Sequence, residues 1–352
     1  MCNSHGAQAA PVILPEPAEW HGEVLTLEPV DDLTITTICD NSYDMLLTGK
    51  GPAKRLGQTN SPAPKTSVPT FREGETFTFP VAEAGFSAVI TVRKGDTTHR
   101  ILFDTGISPQ GCVTNMDRIG IDPRDIGAVV CSHGHFDHTA GLTGLAQRVG
   151  RVNMPVLIHP EFFRQRRVVI GDREPIYLPT TDKKALEGEG FTVIENRQPS
   201  FLLDSSVLIT GEVDRTTGFE KGFAAHQAFL DGNWEPDPLI LDDQALIVHV
   251  RGKGLVILTG CGHSGIINII RYAQRITGVN EIHLVMGGFH LNGPAFEPII
   301  TETVSALVDI APTYISPAHC TGWKAAYAIS ASLPEAFIPN AVGTSFEVSK
   351  GH

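Results

Sequence analysis

The chain has 352 residues, 41% of them hydrophobic and 19% charged, which gives enough apolar material for a large core and too little charge for a disordered polymer. Its net charge of −12, without a Lys/Arg run of five or more, argues against nucleic acid as substrate or partner, because phosphate-backbone binding rests on clustered positive charge. No window reaches the roughly 20 apolar residues of a membrane helix, the N-terminus MCNSHGAQAAPVILPEPAEW lacks the basic start and apolar stretch of a signal peptide, and the six cysteines have no paired spacing, so a cytoplasmic location is expected.

Residues 1–30 read as an N-terminal arm and 31–350 as one domain. The first strand pattern is Leu33–Cys39, with β-branched residues in alternation. Residues 45–75 carry prolines and little periodicity, and read as a mobile insertion, either a lid or plain disorder. Short apolar runs then predict buried strands at 87–92, 99–106 and 126–132, followed by a helix over 139–149 and a strand at 155–160. Residues 161–200 are mixed, and 200–213 suggest paired strands. DDQALIVHV, the turn RGKG and LVILTGC predict a hairpin over 242–261. A helix follows at 265–276, then a strand at 281–290, a helix at 297–310 and a last strand at 313–319. Two strand-rich blocks, each ending in strand–helix alternation, fit an α/β fold of the αββα sandwich type, two mixed sheets flanked by helices.

The segment Ser132-His133-Gly134-His135-Phe136-Asp137-His138 places three histidines and an aspartate within six residues at the end of an apolar strand. Strand periodicity puts His133 and His135 on one side, while Asp137 and His138 fall where the chain turns into a helix. Neutral imidazole and carboxylate are ligands for Zn²⁺ and similar divalent ions, and two neighbouring pairs imply two ions about 3.5–4 Å apart. The bland alternative, a solvated His-rich loop or core histidines bonded to carbonyls, is weak for four ligand-type residues at this spacing. His159, His249 and His283 lie in or beside apolar strands and read as core residues, and His5, His21, His99 and His352 as surface. No GxGxxG or P-loop is present, and Ser264 lies in GHSG rather than in a GxSxG nucleophile turn.

This segment resembles the HxHxDH signature of the metallo-β-lactamase superfamily, and LFDTG (102–106) resembles that superfamily's strand ending in Asp-x-Gly. TICDN (37–41), TGEVDR (210–215), DDQAL (242–246), TGCGHSG (259–265), GGFH (287–290), PAHCTG (317–322) and VGT (342–344) are similar to a branch of it, the dihydropterin-ribofuranosylaminobenzene-phosphate synthase-like proteins. The resemblance implies that Asp104 orients one of the metal histidines and that further ligands come from later strand ends. His263 is then the third ligand of the ion held by His133 and His135. His319 is the third ligand of the ion held by Asp137 and His138, with His290 competing for either role or touching substrate. Cys261 stands where the superfamily usually carries a bridging aspartate, and is either a bridging thiolate or an inert buried thiol. A thiolate would favour Zn, two per chain, with Mn or Fe as alternatives.

The resemblance also suggests that Glu212, Asp214 and Arg215 line the pocket, with Arg215 anchoring a phosphate or carboxylate, unless they form a surface ion cluster. His226, in the aromatic- and Pro-rich stretch 220–238, belongs either to a substrate-covering loop, with Phe229 and Trp234, or to a packed connection. The implied function is a dinuclear metallo-hydrolase acting through a metal-activated water on a small ester, lactone or phosphoester, with Asp137 as ligand and proton acceptor. Two other readings stay open: phosphate-ester or cyclase chemistry on a pterin-like or nucleotide-like metabolite, and a non-catalytic metabolite binder of the same fold. Redox chemistry of the flavodiiron kind is disfavoured because those relatives carry a carboxylate where His135 stands.

Overall fold

The computed structural model describes residues 22–56, 64–150 and 153–351. Its central strands are apolar on both faces, so each must be covered twice, and the alternation of their side chains decides the layers. Leu33, Ile35, Ala88, Ile90, Ile101 and Phe103 of the first sheet meet Leu246, Val248, Val256, Leu258, Leu284 and Met286 of the second in one buried cluster. The intervening residues face outward. Val89, Leu102, Val129 and Val156 pack under the helices Gly111–Ile119 and Leu142–Val149. Ile247, Leu255, Ile257 and Val285 pack under Ile266–Thr277, Ile300–Ile310 and Trp323–Ser332. The result is the expected αββα sandwich.

The first sheet has the spatial order Phe191–Glu195, Met154–Ile158, Ala128–Val130, Thr97–Phe103, Ser87–Lys94, Asp32–Cys39, Ser345–Ser349, Ala53–Lys54. Its first four strands run parallel and the rest antiparallel. The second sheet is Ser200–Leu202, Val207–Ile209, Leu246–Val250, Gly254–Thr259, Ile282–Gly288, Tyr314–Ala318. Its last three strands are mutually parallel. The C-terminal ends of the parallel strands in both sheets carry Asp104, His133, Cys261, His290 and His319, so ligand-type residues far apart in sequence reach one edge.

Several elements depart from the sequence expectation. The helix expected over 139–149 is split into Phe136–Thr139 and Leu142–Val149. The carbonyl of His138 is taken by Thr105, whose backbone N–H and Oγ1 donate to it at 2.7 and 3.0 Å, so it does not continue the helical ladder. The stretch 220–238 is a hairpin, His226–Leu230 with Asn233–Pro236, and joins Arg166–Val168 and Ile176–Tyr177 in a small four-stranded sheet. Periodicity hid it because its strands are short and half exposed. Within the insertion, Ala53–Lys54 pairs with the sheet edge and Lys65–Ser67 with Glu75–Phe77, while 57–63 lie outside the described residues. Of the arm, residues 1–21 lie outside the described residues, and Val30 is buried, its N–H donating to the His249 carbonyl at 2.9 Å.

His159 and His283 are buried, as expected of core histidines, His249 is half-buried and His99 exposed, while His5, His21 and His352 lie outside the described residues. Among the described residues no helix is long and apolar enough to cross a membrane.

Candidate metal centre

The loop Ser132–His138 is held by a carboxylate. Asp104 is fully buried at the end of strand Thr97–Phe103, in the left-handed region at φ 55°, a conformation that persists in a non-glycine residue only where surrounding bonds impose it. Its Oδ1 accepts the Ser132 N–H at 2.7 Å, and its Oδ2 accepts both Ser132 Oγ–H at 2.7 Å and His138 Nδ1–H at 2.8 Å. With its own proton given to Asp104, Ser132 Oγ accepts from His133 Nδ1–H at 2.9 Å. One aspartate therefore fixes the tautomers of two histidines and leaves both Nε2 lone pairs facing the same side.

Those lone pairs meet further donors. His133 Nε2 lies 3.0 Å from His135 Nδ1. His138 Nε2 lies 3.2 Å from Cys261 Sγ and 3.8 Å from Asp137 Oδ2. His319 Nε2 is 3.3 Å from Asp137 Oδ2. The His263 ring stands edge-on to those of His133 and His135, at centroid distances of 4.8 and 5.0 Å. Asp137, His138, Cys261 and His319 each offer one ligand atom within 4.8 Å of the others, and so do His133, Cys261 and His263. Of the ligands expected from sequence, His133, Asp137, His138, Cys261, His263 and His319 fall in these two sets, whereas His135 is in neither and meets them through His133. His319 is the histidine that joins Asp137 and His138, whereas His290 joins Cys261 and Cys320.

These residues fit divalent ions on their own terms. The Nε2 atoms of His135 and His263 are buried and have no hydrogen-bond partner, which is costly for a polar atom unless something else binds it. Burial pushes the pKa of His133, His135 and His263 well below the usual histidine range, so they are neutral and keep a lone pair. Burial also opposes charge on His138, but Asp137 and Asp104 outweigh it and raise its pKa to about 9, so that an ion binding at its Nε2 would displace a proton. Burial likewise works against the Asp137 carboxylate, which His138 and His319 nevertheless hold well below the usual range.

Supporting residues that sequence reasoning missed lie one layer out. Asp242 Oδ2 accepts the Gly134 N–H at 2.8 Å, and Asp242 is clamped by Arg166 at 2.5 and 3.2 Å. Arg166 also reaches Asp237 at 2.9 Å, so a buried Arg sits between two carboxylates and pins the histidine loop. Gly134 is required there, because a Cβ would stand 2.0 Å from the Phe162 carbonyl oxygen. Asp40 Oδ1 accepts the His319 N–H at 2.8 Å and so supports His319 at φ 47°. TICDN and DDQAL were legible as motifs, but no local pattern said which atoms their aspartates would hold.

Gly260 closes the same support, since a Cβ on it would fall 2.0 Å from Ser132 Oγ and 2.7 Å from Asp104 Oδ2. Gly260→Ala is expected to destabilise the fold by about 1–3 kcal/mol and to weaken metal affinity about 10–100-fold, read by denaturant unfolding and by chelator competition. Wild-type affinity in this variant would mean that the Asp104–Ser132 pair does not support the ligands.

The anion anchor expected of Arg215 is corrected by its geometry. Its guanidinium is buried and donates to the backbone carbonyls of His263 at 2.7 Å and Leu239 at 2.5 Å, so it ties down the ligand loop rather than presenting charge to a substrate. Glu212 accepts from Arg197 at 2.7 Å and lies 3.6 Å from His159 Nε2, and Asp214 is bonded by Arg275, which is the ion-cluster alternative. His226 does face the centre. It is buried, its ring is 5.1 Å from that of His135, and its Nδ1 has no partner. Burial lowers its pKa to about 4.

Residues 82–274 match the family model described as the metallo-β-lactamase superfamily, more than half of the chain. The chain belongs to this superfamily. It is 32% identical over 254 residues to the 7,8-dihydropterin-6-methyl-4-(β-D-ribofuranosyl)-aminobenzene-5′-phosphate synthase of Methanocaldococcus jannaschii, covering 69% of this chain and 83% of that protein. An uncharacterized protein of the same organism is also 32% identical, over 252 residues, 69% of this chain and 86% of the relative. Among solved structures, Tm1679, a metal-dependent hydrolase of the β-lactamase superfamily, superimposes with a TM-score of 0.65 at 24% identity, covering 90% of this chain and all of that one. The matched residues include the loop His133–His138 and the strand end Asp104–Gly106.

Proposed function

We propose that this metallo-β-lactamase-fold protein is a metal-dependent hydrolase acting on a small ester, lactone or phosphoester. The observation that carries the reading is the convergence of buried, unpartnered imidazole nitrogens with Asp137 and Cys261 at one strand edge. His133, His135 and His263 would hold one ion and Asp137, His138 and His319 a second, with Cys261 between them. When bound, such ions supply a water that ionises near neutral pH and a Lewis acid for the oxygen of the scissile group. Zinc suits the imidazole and thiolate donors better than Mn or Mg.

The chain's own residues supply the rest. Asp137, kept ionised by His138 and His319, supplies an anionic oxygen at Oδ2 beside both sets of histidines. Neutral His226 overlooks His135 from the small sheet. A cavity of about 200 Å³ opens beside His263 and His290, lined by Lys221, Phe289 and Phe296 among others. Phe289 and Phe296 give the cavity an aromatic wall, and Lys221 gives it a cationic side chain. That size suits a small molecule, or the reacting end of a larger one.

The test is a hydrolysis panel of esters, thioesters, lactones, lactams and phosphodiesters with zinc-loaded and chelated protein. Turnover of one class, lost on chelation and restored by zinc, is expected. Two bound ions with no turnover of any class would favour the non-catalytic binder. The synthase name of the archaeal relative favours a second reading, phosphate-ester or cyclase chemistry on a pterin-like or nucleotide-like metabolite, and pterin-linked phosphoesters belong in the panel for that reason.

Cys261 tests the metal pair directly. Cys261→Asp is expected to keep two ions and to shift preference from zinc toward manganese, because a hard carboxylate replaces a soft thiolate. Cys261→Ala is expected to bind the second ion at least about tenfold more weakly. Metal analysis after dialysis separates these outcomes, and unchanged zinc affinity in Cys261→Ala would remove Cys261 from the ligands.

A further inference from the structure

The three parallel strands Gly254–Thr259, Ile282–Gly288 and Tyr314–Ala318 end side by side, in the register Thr259↔Gly287 and Gly288↔Ala318. Each strand is followed, two residues past its end, by a soft or borderline donor: Cys261, His290 and Cys320. One ligand atom from each lies within 4.8 Å of the other two. The hydrolytic reading uses neither Cys320 nor His290 as a ligand.

The backbone is shaped for this approach. Gly288 lies against both cysteines, and a Cβ there would be 2.7 Å from Cys320 Sγ and 3.0 Å from Cys261 Cα. The Phe289 N–H donates to Thr321 Oγ1 at 3.0 Å, which locks the GGFH turn to the PAHCTG turn. His290 sits at φ 45°, its ring 4.4 Å from that of Phe296 and 4.2 Å from that of His263. Its Nδ1 is buried and has no hydrogen-bond partner. Cys320 is only half-buried, unlike the enclosed, apolar setting of an inert core cysteine.

We propose that Cys261, His290 and Cys320 form a third metal seat, which takes a thiophilic ion such as Zn²⁺, Cd²⁺ or Cu⁺. Two sulfurs and an imidazole select soft ions, whereas the set containing Asp137 offers a carboxylate to harder ones. Three protein donors leave one position of a tetrahedral ion for solvent. Binding releases the Cys320 thiol proton to solvent, and that of Cys261 too where the shared sulfur is not already bound to another ion, with no change of oxidation state. Cys261 Sγ is common to all three ligand sets, so the new seat is joined to the other two through one sulfur.

The experiment uses the full chain, stripped with a chelator, reloaded with Zn²⁺, Cd²⁺ or Mn²⁺, and pulsed with iodoacetamide, with each cysteine read by peptide mass spectrometry. Zinc and cadmium are expected to slow alkylation of Cys320 at least about tenfold, because a metal-bound thiolate is not a free nucleophile. Manganese is expected to leave Cys320 reactive. Cys320→Ser and His290→Ala should each lower the zinc content by one ion relative to the unaltered chain. If either variant fails to fold, the alkylation of the unaltered chain decides. Equal alkylation of Cys320 with zinc and with chelator would overturn the proposal, as would a Cys261–Cys320 disulfide recovered from the zinc-loaded protein.

Discussion

Replacing His133 and His135 together by alanine is expected to remove one ion per chain and to lower turnover by at least about three orders of magnitude. The size follows from what the ion does: metal coordination lowers the pKa of water from 15.7 to about 7, and no side chain in the site substitutes for that. The fold should survive, because the loop is pinned independently through Asp104, which bonds Ser132, and Asp242, which bonds the Gly134 N–H. Metal analysis, hydrolysis of the substrate class found in the panel and a denaturant curve should be run on one preparation. An unchanged metal count in the double variant would remove these histidines from the ligand set.

Asp104→Ala should be the most damaging single substitution outside the ligands. It strands three buried donors at once, Ser132 N–H, Ser132 Oγ–H and His138 Nδ1–H. The expected loss is about 3–5 kcal/mol of stability and about 10–100-fold in metal affinity. Asp104→Asn separates the two effects. It keeps the shape and one acceptor, so it should recover much of the stability, yet it puts N–H groups where His138 and Ser132 need an acceptor and should leave metal affinity impaired. Full recovery of affinity in Asp104→Asn would show that geometry alone, and not the acceptor, sets the histidine tautomers.

The αββα layers were legible in the sequence because the central strands are apolar on both faces, a pattern that only a doubly covered sheet satisfies. The loop His133–His138 was legible because all its donors lie within six residues. What stayed hidden depends on contacts between distant segments. Arg166 and Asp242 are 76 residues apart, and neither carries a local sign that one clamps the other beneath Gly134. Arg215 read as an anion anchor or as part of a surface ion cluster, while the fold turns it inward onto the His263 and Leu239 carbonyls. Cys320 was passed over because it adjoins His319, although the strand ends aim the two residues at different partners. The small sheet around His226 escaped because its pairing with Arg166–Val168 cannot be inferred from short, half-exposed strands.

His226 shows the same limit from the other side. Its stretch was equally consistent with a substrate-covering loop and a packed connection, and the structure makes it a hairpin whose first residue meets His135. Glu220 accounts for the packing. Its carboxylate accepts the Ile267 and Asn268 N–H groups at 2.9 Å each, filling the N-terminus of helix Ile266–Thr277 in place of a local cap. The segment that overlooks the centre is thus anchored to the helix that follows the His263 turn.

The central claim is that the histidine-rich edge holds a pair of ions, and crystals of zinc-loaded protein measured on both sides of the zinc absorption edge test it most directly. The account predicts one anomalous peak among His133, His135, His263 and Cys261 and a second among Asp137, His138, His319 and Cys261, besides any zinc at the separate Cys261–His290–Cys320 seat. Zinc-loaded crystals with no anomalous density at this edge, or with zinc bound only at sites remote from these residues, would contradict it.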